Sequence, residues 1–266
     1  MRTETSPVES ERARWPRVGG LPHRELRSLL DRDYGGFTEA TEPSELVLPA
    51  TASVPFIVKI RDSVRRPPQF LTGAHGSYFP LDGACSPSYL EVWLAPLGAY
   101  TLLGVPMEQL RGEIVELGDV FGAAGTRLGE MVRDAPRWGE RFALVDNFLL
   151  RRLETGPQPS PEVAWAWRRL VDTGGAVPIR RIAGEVGWSH KHLIARFKHQ
   201  VGLPPKTAAR LVRFERVRRR LDRRSEMSWA DIAAESGYAD QAHLVREFRD
   251  FTGTTPTRFV THGRAA

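Results

Sequence analysis

The last third of this 266-residue chain carries one pattern twice. Ile182-Ala183 with Gly187-Trp188 returns fifty positions later as Ile232-Ala233 with Gly237-Tyr238. Leu193, Phe197, Lys198, Gly202 and Pro205 return at a shift of fifty-one as Leu244, Phe248, Arg249, Gly253 and Pro256. An ordered repeat of this kind specifies two copies of one supersecondary unit. The extra residue falls between the two helices of the unit, where a turn tolerates a length change at least cost.

Each copy has a physical reading. A short helix, Ile179 to Glu185 or Trp229 to Glu235, presents Ile-Ala to a core, and the small Ala admits a second helix closely. Gly187 and Gly237 stand where a tight turn needs positive φ. Ser189 and Asp240 stand at the next helix start, where a side-chain oxygen satisfies orphan amides. Leu193 with Phe197, and Leu244 with Phe248, are i, i+4 pairs that bury one face. The opposite face carries His190, Lys191, His192, Ala195, Arg196 and His199 in the first copy. In the second it carries Gln241, His243, Arg246, Arg249 and Asp250. A helix with a buried Leu/Phe stripe and a polar, cationic outer face suits insertion into a DNA major groove. Between the copies, Leu211, Phe214, Val217 and Leu221 mark one helix from Thr207 to Leu221. At 1.5 Å per residue it spans ~22 Å. With its turns it can hold two recognition helices about one DNA turn, ~34 Å, apart.

Charge divides the chain in the same place. Residues 157–266 hold 20 Lys+Arg against 11 Asp+Glu, whereas residues 1–156 hold 18 against 21. A basic module joined to a mildly acidic one suggests polyanion binding coupled to a separate partner domain. Cys85 is the single cysteine, which excludes an intrachain disulfide and a cysteine-held zinc and fits a reducing cytoplasm. The polar N-terminus has no apolar secretion core, and no run approaches 18 apolar residues. A soluble, cytoplasmic protein with no membrane partner is expected.

The expected architecture is α+β: a β-containing N-terminal domain followed by helices, then an all-α C-terminal domain of two helix-turn-helix units joined by a linker helix. Residues 1–20 read as a flexible tail and 21–155 as a sensor or dimerisation domain. In the latter, Leu46–Leu48, Val54–Ile60 and Tyr89–Leu94 read as strands. A helix with Leu26, Leu29 and Leu30 on one face is expected before them. From 106 to 153, Leu110, Leu117, Val120, Leu128 and Met131, then Phe142, Leu144, Val145, Phe148 and Leu149, recur at helical spacing. Thr155 to Pro161 is rich in breakers and reads as the linker, with Pro161 in the first turn of the next helix. That helix has Val163, Trp167, Leu170 and Val171 as its stripe and Gly174-Gly175 as its stop. Trp165 lies off the stripe, as interface material or simply exposed.

The doubled pattern, with Ser189, Arg213, Asp231, Asp240 and Arg246 in their places, resembles the DNA-binding domain of AraC/XylS-type regulators over roughly residues 160–262. The resemblance implies a transcriptional regulator with double-stranded DNA (an operator or promoter) as partner, together with RNA polymerase, a small-molecule effector and a homodimer, and no cofactor. DNA contacts are then expected from Ser189, His190, Lys191, His192, Arg196 and Lys198, and from Asp240, Gln241, His243, Arg246 and Arg249. Ile182, Ala183, Gly187, Leu193, Phe197, Ile232, Ala233, Gly237, Leu244 and Phe248 form the structural core of the motifs. Ala195 departs from the Arg usual in the family, and Leu244 from an aromatic residue. Residues 90–122 resemble the sensor half of actinobacterial members, which implies ligand sensing or dimerisation.

Other readings attach to several residues. Arg216, Arg218-Arg219-Arg220 and Arg223-Arg224 are either a solvated helix face or phosphate contacts. His190 and His192 do not share a helix face, which argues against a metal site. Trp188 and Tyr238 read as core filling beside the turn rather than base-stacking groups. No GxSxG, Walker, HExxH or dinucleotide fingerprint is present. Gly73 to Ser77 reads as a turn between strands. A His75–Cys85 thiol–base pair lacks a third group, and alkyl-transfer chemistry lacks its cysteines. A non-specific nucleoid binder needs the basic surface but not two base-reading helices.

Overall fold

The computed structural model describes residues 17–38, 46–61, 67–81, 88–222 and 227–264. Tail residues 1–16, Cys85, Arg223 and Arg224 lie outside the described residues.

The apolar runs form the buried middle of an antiparallel sheet, and more exposed strands close its edges. Its strands are β1 (Arg17–Gly20), β2 (Tyr34–Phe37), β4 (Val54–Lys59), β5 (Gln69–Thr72), β7 (Tyr89–Leu94) and β8 (Ile114–Glu116), in the order β1-β2-β7-β4-β5-β8. β3 (Leu46–Leu48) and β6 (Phe79–Leu81) pair separately. All six residues of central β7 are buried, the pattern of a strand covered on both sides. Helices α1 (Pro96–Leu103), α2 (Leu117–Phe121), α3 (Ala123–Asp134) and α4 (Trp138–Thr155) follow. Leu102 of α1, Leu128 and Val132 of α3, and Val145 and Leu149 of α4 join Val54, Phe56, Leu90 and Leu94 of the sheet in one core. Asp146 of α4 fastens the edge of that core, accepting from Tyr34 Oη at 2.8 Å and from His23 N at 3.0 Å.

Three expectations for this half need correction. Arg17–Gly20, placed in the flexible tail, are β1, paired with β2 from Arg17↔Phe37 to Gly20↔Tyr34. The helix expected around Leu26 is a single 3-10 turn, Arg27–Leu29. Leu26 and Leu30 are buried, so the apolar spacing marks contact points, not helix length. Residues 106–153 also break more often than their periodicity suggests, at a 3-10 turn (Met107–Leu110) and at β8. Met131 is 45% exposed and off the buried face, which Leu128 and Val132 occupy one turn apart.

The C-terminal part is helical: α5 (Pro161–Asp172), α6 (Ile179–Glu185), α7 (His190–Val201), α8 (Pro205–Asp222), α9 (Trp229–Glu235), α10 (Gln241–Thr252) and α11 (Pro256–Arg264). Pro161 opens α5, whose cap Ser160 accepts from Val163 N. α8 belongs to both cores here. Ala208 and Ala209 pack with Ile182, Leu193 and Phe197. Leu211, Phe214 and Val217 pack with Ile232, Leu244 and Phe248.

The breaker-rich segment after α4 connects the halves without separating them. Ala50 N donates to Phe251 O at 2.8 Å and Tyr78 N to Asp250 O at 3.2 Å. Ala50 and Ala74 enter the core of the second unit, and Leu97 of α1 packs against the first. His75 pins the loop that makes these contacts, its ring nitrogens 3.0 Å from Gly73 O and 3.1 Å from Pro49 O. Burial lowers its pKa, with the backbone carbonyls opposing. Among the described residues no helix is long and apolar enough to cross a membrane.

Candidate nucleic-acid interface

The repeat in sequence is a repeat in hydrogen bonding. Gly187 N donates to Gly184 O at 3.1 Å and Trp188 N to Ala183 O at 2.9 Å. In the second unit, Gly237 N donates to Ala234 O at 3.2 Å and Tyr238 N to Ala233 O at 2.9 Å. Both glycines are left-handed, with φ of 71° and 82°. That conformation is costly for a residue with a Cβ, which is why glycine stands at both turns. Ile182, Ala183, Ile232 and Ala233 are buried beneath the turns.

The second helices of the two units begin alike. Ser189 Oγ accepts from His192 N at 3.2 Å, and Asp240 Oδ1 accepts from His243 N at 2.6 Å. Ser189 and Asp240 are therefore caps first, which sets the direction of each helix start. Trp188 lies edge-on to His192 at 4.6 Å, and Tyr238 to His243 at 5.2 Å. Tyr238 is buried and Trp188 half-buried, the places of spacer residues beside a turn. Burial raises the Tyr238 pKa, and the Glu247 charge adds to it.

Behind each helix, Leu193 with Phe197 and Leu244 with Phe248 are buried. In front, His190, Lys191, His192, Ala195 and Arg196 of α7 are exposed, as are Gln241, Arg246 and Arg249 of α10. Lys198 and His243 are half-buried. One residue expected on the polar face is turned elsewhere. His199 meets the N-terminal half, 5.7 Å from the Tyr100 ring and with Nδ1 3.6 Å from Glu108 Oε1. The docked side of α7 thus differs from its free side, and the break falls within its last turn.

The arginines of α8 divide between tasks that sequence could not separate. Arg210 Nε donates to Glu247 Oε1 at 2.6 Å, and its Nη2 to Asp250 Oδ2 at 3.3 Å. Arg213 Nη1 donates to Gly237 O at 3.3 Å, with its guanidinium 5.6 Å from the centre of the Tyr238 ring. Arg220 makes two hydrogen bonds to Glu235 Oε2, at 3.1 and 2.7 Å. These three fasten the linker helix to the second unit. In the first, Glu185 of α6 accepts from Arg169 at 3.2 Å and from Arg181 at 2.9 Å. Desolvation raises the Glu185 pKa, but the two arginines outweigh it and the net shift is downward.

Arg216, Arg218 and Arg219 instead line a cavity of about 350 Å³ between α8, α5 and the sheet half, with Trp93 and Trp167 in its walls. This site escaped the sequence reading. The sequence placed Val171 on the buried α5 stripe, whereas in the structure it is 48% exposed and lines the cavity.

A family described as a helix-turn-helix domain matches residues 165–262. No curated protein matches the chain. Among solved structures it is similar to ToxT from Vibrio cholerae, at 11% identity over 86% of this chain and 97% of that one, with a TM-score of 0.44. The same protein bound to (E)-4-(8-methylnaphthalen-1-yl)but-3-enoic acid aligns at 13% identity over 94% and 95%, TM-score 0.42. The C-terminal domain of AraT, a response regulator from Geobacillus stearothermophilus, aligns at 20% identity over 40% of this chain and 88% of that one, TM-score 0.37. The family match over residues 165–262, and two units built on the same turn and cap bonds, make the C-terminal part of this chain a double helix-turn-helix domain.

Proposed function

We propose that the chain reads a DNA operator with α7 and α10 in successive major grooves on one face of the duplex. The observation that carries this reading is the identical construction of the two units on one continuous helix. Each exposes a polar helix face, and α8 shares its apolar side chains with both cores. His190 and Arg196 of the first unit, and Gln241 and Arg246 of the second, contact base edges. Lys191, His192, Lys198, His243 and Arg249 contribute contacts along the backbone, where most of the affinity arises. Ser189 and Asp240 act through the helix starts they cap, whose amides face the phosphates.

The N-terminal half senses a small molecule or mediates dimerisation, and it biases DNA affinity or the contact with RNA polymerase. Its docking on both units supports this role, since a change in the sheet half reaches α7 through Tyr100 and Glu108 and α10 through Ala50 and Tyr78. Ala195 leaves the first unit with fewer long side chains at its centre than the second.

The test is selection from a random duplex library with the purified full chain at two salt concentrations. Two half-sites about one turn apart are expected. A one-sided motif would leave α7 as a positioning helix only. No enrichment, with binding that vanishes as salt rises, would refute specific reading.

A further inference from the structure

The cavity lined by α8, α5 and the sheet half lies away from the exposed polar faces of α7 and α10. At about 350 Å³ it is at the lower end of small-molecule sites. Two tryptophans line it, Trp93 from β7 and Trp167 from α5, with Val171 beside them. An apolar side chain 48% exposed on an otherwise buried stripe leaves a contact open there.

The described lining of the site is rich in arginine. Among the described residues, Arg32, Arg216, Arg218 and Arg219 line it beside Asp31 and Glu215, four cationic side chains to two acidic ones. Arg218 and Arg219 share the single Glu215, at 3.0 and 3.8 Å. Arg218 Nε is buried and finds no acceptor among the described residues, an arrangement that is costly unless something supplies one. Arg216 makes no ion pair among the described residues, although the neighbouring Arg213 and Arg220 are bonded to the second unit. α1 also begins on the cavity wall at Ala95 and Pro96, without a side-chain cap, which adds the positive end of a helix dipole. Planar guanidinium groups beside aromatic walls favour a flat molecule with an oxyanion head, held by paired N–H donors.

We propose that this cavity binds a small organic anion, with a flat apolar body against Trp93 and Trp167 and a carboxylate or phosphate head on Arg216, Arg218 and Arg219. The site rests on the reading of the N-terminal half as a sensor and gives that reading a location and a ligand chemistry. Occupancy ties α8 to the sheet half, and α8 is the element shared by both DNA-reading units.

Calorimetric titration of the full chain with cinnamate, phenyl phosphate and cinnamyl alcohol tests it. Saturable binding of an anion is expected, with the alcohol at least tenfold weaker, and the better of the two anions identifies the head group. The R216Q/R219Q variant, altered at exposed positions and checked by thermal melt, is expected to lose at least tenfold in anion affinity. Its DNA affinity should keep the salt slope of the parent. A slope lower by about two would assign these arginines to phosphates instead and overturn the proposal. Binding of neither anion, or equal binding of the alcohol, would also overturn it. If DNA affinity responds to cinnamate equally in parent and variant, the sensing reading stands and this site fails. If the anion binds at the arginines with no effect on DNA affinity, the site stands and the sensing reading fails.

Discussion

Removing Arg210 tests what orients the second recognition helix. Glu247 projects backward from α10 and its side chain is 4% exposed, while Arg210 is 33% exposed and bonds it at 2.6 Å. One Glu247 oxygen already lacks a partner among the described residues. Breaking a fully buried pair from one side costs ~3–5 kcal/mol, because the remaining charge stays desolvated. An exposed pair is worth ~0–1 kcal/mol. Arg210 admits water from one side, so Arg210→Met is expected between these limits, at about 2–3 kcal/mol. Glu247→Met is expected to cost about 1 kcal/mol or less. It removes the buried charge, and Arg210 keeps Asp250 at 3.3 Å. The double variant should then resemble Glu247→Met, leaving a coupling equal to the Arg210→Met cost, about 2–3 kcal/mol. Urea unfolding of the four proteins gives the cycle, and DNA affinity gives the functional reading. An Arg210→Met cost below about 0.5 kcal/mol would refute the argument and return the pair to the class of surface bridges.

Arg246→Ala is expected to relax one operator position by roughly 1–3 kcal/mol in a selection experiment, whereas Lys191→Ala should weaken all sequences alike and lower the salt slope by about one. An unchanged motif in the first variant would remove Arg246 from base reading. Gly237→Ala places a Cβ 3.6 Å from Arg213 Cδ, an ordinary contact, so only its φ of 82° opposes the change, by about 1–2 kcal/mol. Gly175→Ala combines a φ of 73° with a Cβ 2.1 Å from Ala209 O, and should melt well below Gly237→Ala; the reverse order would contradict the packing. Tyr34→Phe removes the 2.8 Å bond to Asp146 and should cost ~1–2 kcal/mol in a thermal melt, since the carboxylate keeps His23 N; no loss would mean that water replaces the hydroxyl.

How much was legible depended on the range over which each residue acts. The bounds of α6 and α9, the two turn glycines and the caps at Ser189 and Asp240 are local matters of φ and backbone donors, and they read directly from the repeat. The strands at Leu46, Val54 and Tyr89 were legible for the same reason, being short apolar runs between breakers. Leu26, Leu29 and Leu30 mimicked a helix because two leucines four apart also bury both sides of a single turn. Arg17–Gly20 gave no apolar signal, because β1 is an edge strand whose exposed side chains leave pairing to the backbone. Nor could a run of arginines reveal its partners. Glu215 sits three residues before Arg218 on the same helix, but Glu247 and Glu235 lie on other helices, and only the folded chain assigns Arg210 to one and Arg220 to the other.

The docking of the two halves leaves uncovered the faces of α7 and α10 that are proposed to read DNA. Its contacts on α7 and α10 are at their C-terminal ends, at His199, Asp250 and Phe251. The starts of both helices remain exposed at His190, Lys191, Gln241 and Arg246. A recognition helix reads bases with its N-terminal residues, so the halves can stay docked on DNA. What the sheet half can alter is the relation between the two helices, because it holds each by a different segment: α7 through α1 and the Met107–Leu110 turn, and α10 through the Ala50 and Tyr78 loops. Reading two half-sites at once depends on that relation more than on either face alone. A ligand that binds between α8 and the sheet therefore needs to move neither recognition helix into or out of cover. A small rotation about α8 suffices to change the fit of the pair, and its effect should be large on a two-part operator and small on an isolated half-site.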